Sequence, residues 1–373
     1  MPTLFGNGPV SNVLPMTRQN LLGSGSLTVV IGAITLCSLG TEVSATTVGS
    51  RVLVPASRQA APKASTPVKP SATSEAEQRR AAARRRAAAA ARALREAQEP
   101  KFKLDNTGTL VPDVRAEAAI AYDPVTGEVL WETNSQAQRS IASITKVMTA
   151  VVFLESAPDL SEQVVVQRAD VRRASTTYLR AGYKLTTGDL LHLLLIGSDN
   201  AAARVLARVS RHGSEGFIAR MNEKAAELGL ASTRYTDPSG LLNDNVSSAY
   251  DMARLIAIAS ADERIGSIMQ KARHSVVIGR QTVNVKSTNQ LVTTGDVDVL
   301  GGKTGFIRRA GYCFAALLRL PQSGQQVAVV VLGAKSSAVR FWEARHLFNW
   351  LASKAEGFIS TPLEAATTAI YQE

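Results

Sequence analysis

The sequence is short of the residues that build metal and redox centres. Its 373 residues include two cysteines, Cys37 and Cys313, and four histidines, His192, His212, His274 and His346. Two cysteines cannot supply a disulfide framework, and Cys37 sits in an apolar run near the N-terminus, which leaves Cys313 unpaired. The histidines are scattered, and no C-x-x-C, H-E-x-x-H or glycine-rich phosphate loop occurs. Zinc enzymes, P-loop nucleotidases and dinucleotide-binding dehydrogenases are disfavoured on this ground, and neither a metal nor an organic cofactor is expected. Long apolar runs are also scarce. Residues 27–39 form a run of 13, whereas a membrane-spanning helix needs ~20.

What is present is a basic excess placed in one segment. There are 42 Lys and Arg against 31 Asp and Glu. Residues 46–100 hold 11 basic and 4 acidic residues, while residues 101–373 hold 30 and 26. The basic balance therefore says little about the globular part. The run at 27–39 follows Arg18 and precedes Val43-Ser44-Ala45, a small-residue cleavage site. Residues 1–45 read as a secretory signal, started at Met1 or Met16, or as an uncleaved anchor. The protein is expected to be exported, to the periplasm or cell envelope. Residues 46–73 are rich in Pro, Ala, Ser and Thr and read as an extended linker. Ser74 and Glu77 suggest a capping box for a helix of Ala and Arg running to residue 97. Its arginines lie all round the helix, so no apolar face is left to bury. Such a helix is a solvated spacer or a contact to an anionic membrane or wall polymer. Few aromatics and an export signal argue against nucleic acid. The expected organisation is a linker with a basic helix over 46–106, a catalytic domain over 107–358, and a tail over 359–373.

The globular part is expected to be α+β. Strands at 118–123 and 128–134 flank a turn at Pro124-Val125-Thr126-Gly127. A helix at 143–154, a strand at 164–167 and a mostly helical block over 187–270 follow. Strands return at 275–285, 297–303, 312–320 and 326–333, and a helix at 339–354 closes the domain. Short connections between the later strands imply antiparallel pairing. The expectation is an antiparallel sheet flanked by helices, with a helical insertion forming a second lobe and a site in the cleft between.

Three short motifs carry chemistry. In Ser143-Ile144-Thr145-Lys146, residues three apart share a helix face, so Lys146 can reach the Ser143 hydroxyl. A serine is a weak nucleophile until a neighbour takes its proton, and a lysine does so when burial lowers its pKa. Ser198-Asp199-Asn200 opens a helix inside the insertion. Its hydroxyl can pass a proton to a leaving amine, and the Asn200 amide can hold a substrate backbone. Ser287-Thr288-Asn289 is a second S-x-N match, but only Ser198 lies in the helical lobe that would face Ser143. Lys303-Thr304-Gly305, at the end of the strand expected at 297–303 and just before the next one, offers a positive charge, a hydroxyl donor and a place where backbone can approach the strand closely. Each motif alone is weak. Together and in this order they form the set found in class A β-lactamases and penicillin-binding proteins.

With these motifs the chain resembles the serine D,D-peptidases, the low-molecular-weight penicillin-binding proteins of the D-alanyl-D-alanine carboxypeptidase/endopeptidase family. The resemblance covers roughly residues 110–355. It includes Arg139-Ser140-Ile141-Ala142, Asp237-Pro238-Ser239-Gly240-Leu241, Val246-Ser247-Ser248-Ala249-Tyr250-Asp251-Met252 and the stretch from Gly302 to Cys313. It implies a β-lactamase/transpeptidase-like fold, peptidoglycan stem peptides as substrates and β-lactams as covalent inhibitors. By the resemblance Ser143 is the acylated nucleophile, Lys146 its base and Ser198 a third catalytic group. Asn200, Lys303, Thr304 and Gly305 line the site. The Ser143 and Phe306 N–H groups form the oxyanion hole, and Arg340, with Arg308 as a weaker candidate, takes a terminal carboxylate. A D-Ala-D-Ala carboxypeptidase is the first expectation and an endopeptidase for D,D-cross-links the second. Only 70 residues follow Lys303, which matches the shorter endopeptidase-type members, whereas Arg340 suits capture of a free carboxylate. A β-lactamase is disfavoured because no E-x-x-L-N pattern lies between Ser198 and Lys303. A non-catalytic wall-binding protein is disfavoured by the intact triple.

Overall fold

The computed structural model describes residues 72–278 and 281–359. The expected signal or anchor, most of the linker and the expected tail from residue 360 lie outside the described residues. Five strands make the central sheet: β1 (Ala118–Tyr122), β2 (Val129–Thr133), β3 (Asp298–Ile307), β4 (Gly311–Arg319) and β5 (Gln326–Ala334). Their order is β3-β4-β5-β1-β2, every neighbour is antiparallel, and β3 is an edge. The β1–β2 turn forms where Asp123 accepts from the Val125 and Thr126 N–H groups, at 2.7 and 3.2 Å.

Side chains alternate across the sheet with period two. Ile120, Cys313, Ala315 and Val330 are buried on one face, and Ala121, Phe314, Val329 and Val331 on the other. Both faces are covered, so β4 and β5 read as nearly unbroken apolar runs instead of alternating ones. The helices of seven residues or more among the described residues are α1 (Ala72–Gln98), α2 (Thr145–Leu154), α3 (Thr187–Leu195), α4 (Asn200–Val209), α5 (Gly213–Glu227), α6 (Ala249–Ala261), α7 (Glu263–Met269) and α8 (Ser337–Ile359). Helix α8 covers one face of the sheet through Phe341, Leu347, Phe348 and Leu351. Helices α2 and α6 cover the other through Val147, Met252, Leu255 and Ile256. Each such buried side chain contributes about 1.5–3 kcal/mol. Helices α2 to α7 lie between β2 and β3 in the chain, which is the helical insertion the sequence implied.

Four local expectations are corrected. Helix α1 begins at Ala72, two residues before Ser74, so Ser74 and Glu77 do not cap it. A hairpin of Phe102–Leu104 with Leu110–Pro112 crosses the boundary expected at 106/107. Residues 275–285 are not one strand but parts of two, Arg273–Ile278 and Gln281–Lys286, paired antiparallel. Strand β3 runs on to Ile307, past the end expected at Lys303, so Thr304 and Gly305 lie inside the strand and not beyond it. Residues 75–92 of α1 are exposed, as a helix without an apolar face must be. Among the described residues no helix is long and apolar enough to cross a membrane.

Candidate active site

Ser143 lies in one turn of 3-10 helix, Ala142–Ile144, that runs directly into α2. Ala142 has a positive φ of 49°, a conformation that an alanine holds only where its surroundings impose it. Two glycines show what imposes it. A Cβ on Gly240 would lie 2.0 Å from the Ala142 carbonyl oxygen, and one on Gly305 would lie 2.7 Å from that of Ile141. The nucleophile turn is thus clasped between the 237–241 loop and β3, at a closeness only glycine allows.

Lys146 follows one helical turn later and is fully buried. Its Nζ donates to Ser143 Oγ at 3.0 Å, to Asn200 Oδ1 at 2.6 Å and to the Ser239 carbonyl at 2.5 Å. Burial pushes its pKa down to about 7, against the opposing pull of the Asp237 and Asp199 carboxylates. A neutral amine has two hydrogens and one lone pair. The two carbonyl oxygens cannot donate, so they take the two hydrogens, and the lone pair is left for the Ser143 hydroxyl. That is the geometry of a general base.

The Ser239 carbonyl is fixed by Asp237. The Asp237 carboxylate accepts from Ser239 N at 2.7 Å, Gly240 N at 2.9 Å, Leu242 N at 2.8 Å and Asn245 Nδ2 at 2.6 Å. Burial would raise its pKa, but hydrogen bonds from Ser239, Leu242 and Asn245 outweigh it and hold Asp237 below the usual carboxylate range. Asp237 and Ser239 are site-building residues to which the sequence reading gave no role. The available signal was the Asp-Pro-Ser-Gly run, a turn-forming composition.

Ser198 also has a positive φ, 57°. Its Oγ accepts from Lys303 Nζ at 2.9 Å. Lys303 is buried in β3, and its Nζ also donates to the Thr304 carbonyl at 3.0 Å. Burial, reinforced by the positive charges of Lys146 and Arg340, lowers the Lys303 pKa well below the usual range. Asp199 caps α4 by accepting from Ala202 N at 2.9 Å, and its other oxygen accepts from Tyr178 N at 2.7 Å and Thr177 Oγ1 at 2.9 Å. The motif is thereby tied to the loop over residues 173–178.

Three expected site residues have partners other than those anticipated. Asn200 is not free for a substrate backbone. Its Oδ1 holds Lys146, and its Nδ2 donates to the Ala174 carbonyl at 2.7 Å and to Ser175 Oγ at 3.4 Å. The Thr304 hydroxyl donates to Thr288 Oγ1 at 2.7 Å, so the second S-x-N segment also reaches this site, from the side of β3. Arg340 is buried beneath β3. Its Nη1 donates to the Gly305 and Cys313 carbonyls at 3.0 and 3.3 Å, and its guanidinium lies over the Phe341 and Tyr312 rings. Arg340 therefore supports the backbone of β3, and its charge acts on the site through Lys303. Phe306 is half exposed and stacks on Tyr312 with ring centroids 4.2 Å apart. The Gly305 carbonyl points inward to Arg340. In a strand the next residue points the other way, which turns the Phe306 N–H to the open edge beside Ser143.

The structure thus brings Ser143, Lys146 and Asn200 into one hydrogen-bonded group and Ser198, Lys303 and Thr304 into a second. Gly305 and Phe306 lie on the same strand edge. The arrangement can deprotonate a serine hydroxyl, hold an oxyanion on backbone N–H groups and place positive charge beside a leaving group.

The family profile described as D-alanyl-D-alanine carboxypeptidase matches residues 105–336. A D-alanyl-D-alanine endopeptidase of Haemophilus influenzae is 32% identical over 254 residues, which are 68% of this chain and 85% of that one. A D-alanyl-D-alanine carboxypeptidase of Bacillus subtilis is 30% identical over 251 residues, 65% of this chain and 63% of that one. Among solved structures, penicillin-binding protein D2 of Listeria monocytogenes in its cefotaxime-bound form is similar with a TM-score of 0.56 at 28% identity, over 63% of this chain and 96% of that one.

Proposed function

Since the chain belongs to the D-alanyl-D-alanine carboxypeptidase family, we propose that it hydrolyses the D-Ala-D-Ala ends of peptidoglycan stem peptides through an acyl-enzyme on Ser143. It is a serine-type D,D-peptidase with the fold of the penicillin-binding proteins. The observation that carries the mechanism is the fully buried Lys146, its pKa near 7, 3.0 Å from the Ser143 hydroxyl.

In this reading the peptide lies along the open edge of β3. Ser143 Oγ attacks the carbonyl carbon of the penultimate D-alanine while its proton passes to Lys146 Nζ. The developing oxyanion is held by the Ser143 and Phe306 N–H groups. The C–N bond breaks as the leaving amine gains a proton by way of Ser198 and Lys303. Water then attacks the ester and frees Ser143. The carboxylate of the leaving D-alanine lies near Lys303 and Thr304. A β-lactam enters the same first step and stays on the serine.

Cleavage of D,D-cross-links is the second reading, and the name of the H. influenzae relative favours it. Its leaving group is again an amine with a carboxylate on the same carbon, so the same charges serve both reactions. Mass spectrometry on two muropeptides separates them. Loss of one alanine from a monomer ending in D-Ala-D-Ala identifies a carboxypeptidase, and conversion of a cross-linked dimer to monomers identifies an endopeptidase. If neither reacts, the proposal fails.

The reading extends to location. Export is supported by the apolar run at 27–39 with its flanking residues, and contact with an anionic envelope by the exposed arginines of α1. Deleting residues 74–99 is expected to weaken sedimentation with anionic lipid vesicles several-fold at low salt. Unchanged sedimentation would leave α1 a spacer.

A further inference from the structure

The catalytic part carries its net charge in one place. Residues 101–373 hold 30 basic and 26 acidic residues, and residues 168–184 account for 5 and 1 of them. The remainder holds 25 of each. Outside this segment the charges balance. Inside it Arg168, Arg172, Arg173, Arg180 and Lys184 stand against one acid, Asp170.

That acid is committed elsewhere. Asp170 is buried, and its carboxylate accepts from Arg208 Nε at 3.1 Å, from Arg208 Nη2 at 2.8 Å and from the Gln167 N–H at 2.7 Å. The five cations are exposed, and their side chains make no hydrogen bond or ion pair with any described residue. Like charges left without counter-ions repel one another, and a bound polyanion relieves that repulsion. The segment is also held in shape. Ala174 and Leu179 are buried anchors, and the residues on either side of them point out. Arg204 Nη1 supports the chain from α4, donating to the Asp170 and Arg172 carbonyls at 3.2 and 2.7 Å. Arg173 and Ser175 have positive φ, 54° and 51°, a conformation that only surrounding packing enforces. The charges are thus presented on a fixed frame, which lowers the ordering cost of binding.

The place of the segment narrows the partner. Arg172 and Arg180 bracket the loop over residues 173–178. The Ala174 carbonyl of that loop accepts from Asn200 Nδ2, its Tyr178 N–H donates to Asp199, and a Cβ on Gly197 would lie 3.1 Å from the Tyr178 ring. The basic segment therefore borders the Ser198 side of the site. A flat anionic surface pressed against it would cover the site, whereas a chain that enters the site would leave its neighbouring portions over the arginines. We propose that residues 168–184 form a docking surface for polymeric peptidoglycan, and that the guanidiniums hold carboxylates of stem peptides next to the one being cleaved. The proposal rests on the D,D-peptidase reading. The surface makes the polymer, with many carboxylates on one chain, a better substrate than a single short peptide.

Three double variants of the full chain test it. Arg172→Glu/Arg180→Glu reverses both charges, Arg172→Gln/Arg180→Gln removes them, and Arg172→Lys/Arg180→Lys keeps them. Each is compared with the wild type on two substrates. One is phosphate-free peptidoglycan, whose fixed anions are carboxylates, followed by the initial release of alanine and of soluble fragments together. The other is benzylpenicillin, a single small anion, followed by the rate of acylation. At low salt the glutamate pair is expected to lose on the order of tenfold on peptidoglycan and the glutamine pair about threefold. Both should stay within about twofold of the wild type on penicillin, and the lysine pair within about twofold on both substrates. At about 0.5 M salt the gap on peptidoglycan should close. Unchanged rates of the glutamate and glutamine pairs on peptidoglycan, an equal loss on penicillin, or a gap that persists at high salt would overturn the docking surface. Absence of both peptidoglycan turnover and a penicillin adduct in the wild type would instead overturn the acyl-enzyme reading beneath it.

Discussion

Replacing Ser143 with alanine is expected to lower turnover of a D-Ala-D-Ala peptide on the order of 10⁴-fold or more and to remove covalent labelling by penicillin. The loss is this large because the hydroxyl oxygen is the atom that forms the new bond, and no neighbour can replace it. Ser198, the other hydroxyl of the site, accepts from Lys303 and has no contact with Lys146 among the described hydrogen bonds. The fold should survive. Ser143 is half-buried, and without its Oγ the Lys146 amine keeps Asn200 and Ser239 as partners. Thermal unfolding should therefore shift by no more than about 2 °C. Substantial labelling of the Ser143→Ala protein would remove Ser143 from the role of nucleophile.

The second large effect concerns Lys146. Only its neutral form has a lone pair for the Ser143 proton. Burial disfavours the charged form and sets the pKa near 7, so the active fraction grows as pH rises through that value and levels off above it. Below it, the acylation rate should fall about tenfold for each further unit of pH. Lys146→Ala should cost about 10²–10⁴-fold in acylation and erase the inflection. Lys146→Arg should be equally inactive, because a guanidinium stays charged. Stopped-flow acylation by a chromogenic cephalosporin across this pH range gives the profile. An inflection near 10, or none in the wild type, would mean that Lys146 is not the base.

The order of elements and the three motifs were legible in the sequence because they rest on local signals. Short unbroken apolar runs mark β1, β4 and β5, apolar periodicity marks α6, and S-x-x-K needs only helical spacing to bring Lys146 onto Ser143. The continuation of β3 beyond Lys303 was not legible. Two polar residues and a glycine read as the end of a strand, yet this strand is an edge whose pattern serves packing beneath it and a substrate beside it. Ala142 and Ser198 could not be anticipated as left-handed, since neither residue type favours that conformation and only packing across the chain enforces it. The partners of Asn200 and Arg340 were hidden for a related reason. Residue type shows that an amide or guanidinium can bind a substrate, but the competing partners, the Ala174 and Gly305 carbonyls, lie 26 and 35 residues away. Asp237 and Ser239 act through a backbone carbonyl, which leaves no trace in side-chain chemistry.

The central claim is that Ser143 carries the acyl group. Its most direct test is peptide mapping by tandem mass spectrometry after brief reaction of the wild-type protein with benzylpenicillin and acid quenching. The account predicts one penicilloyl adduct, on the peptide containing Ser143 and localised to that residue. An adduct localised to Ser198 or any other residue, or an unmodified protein, would contradict it.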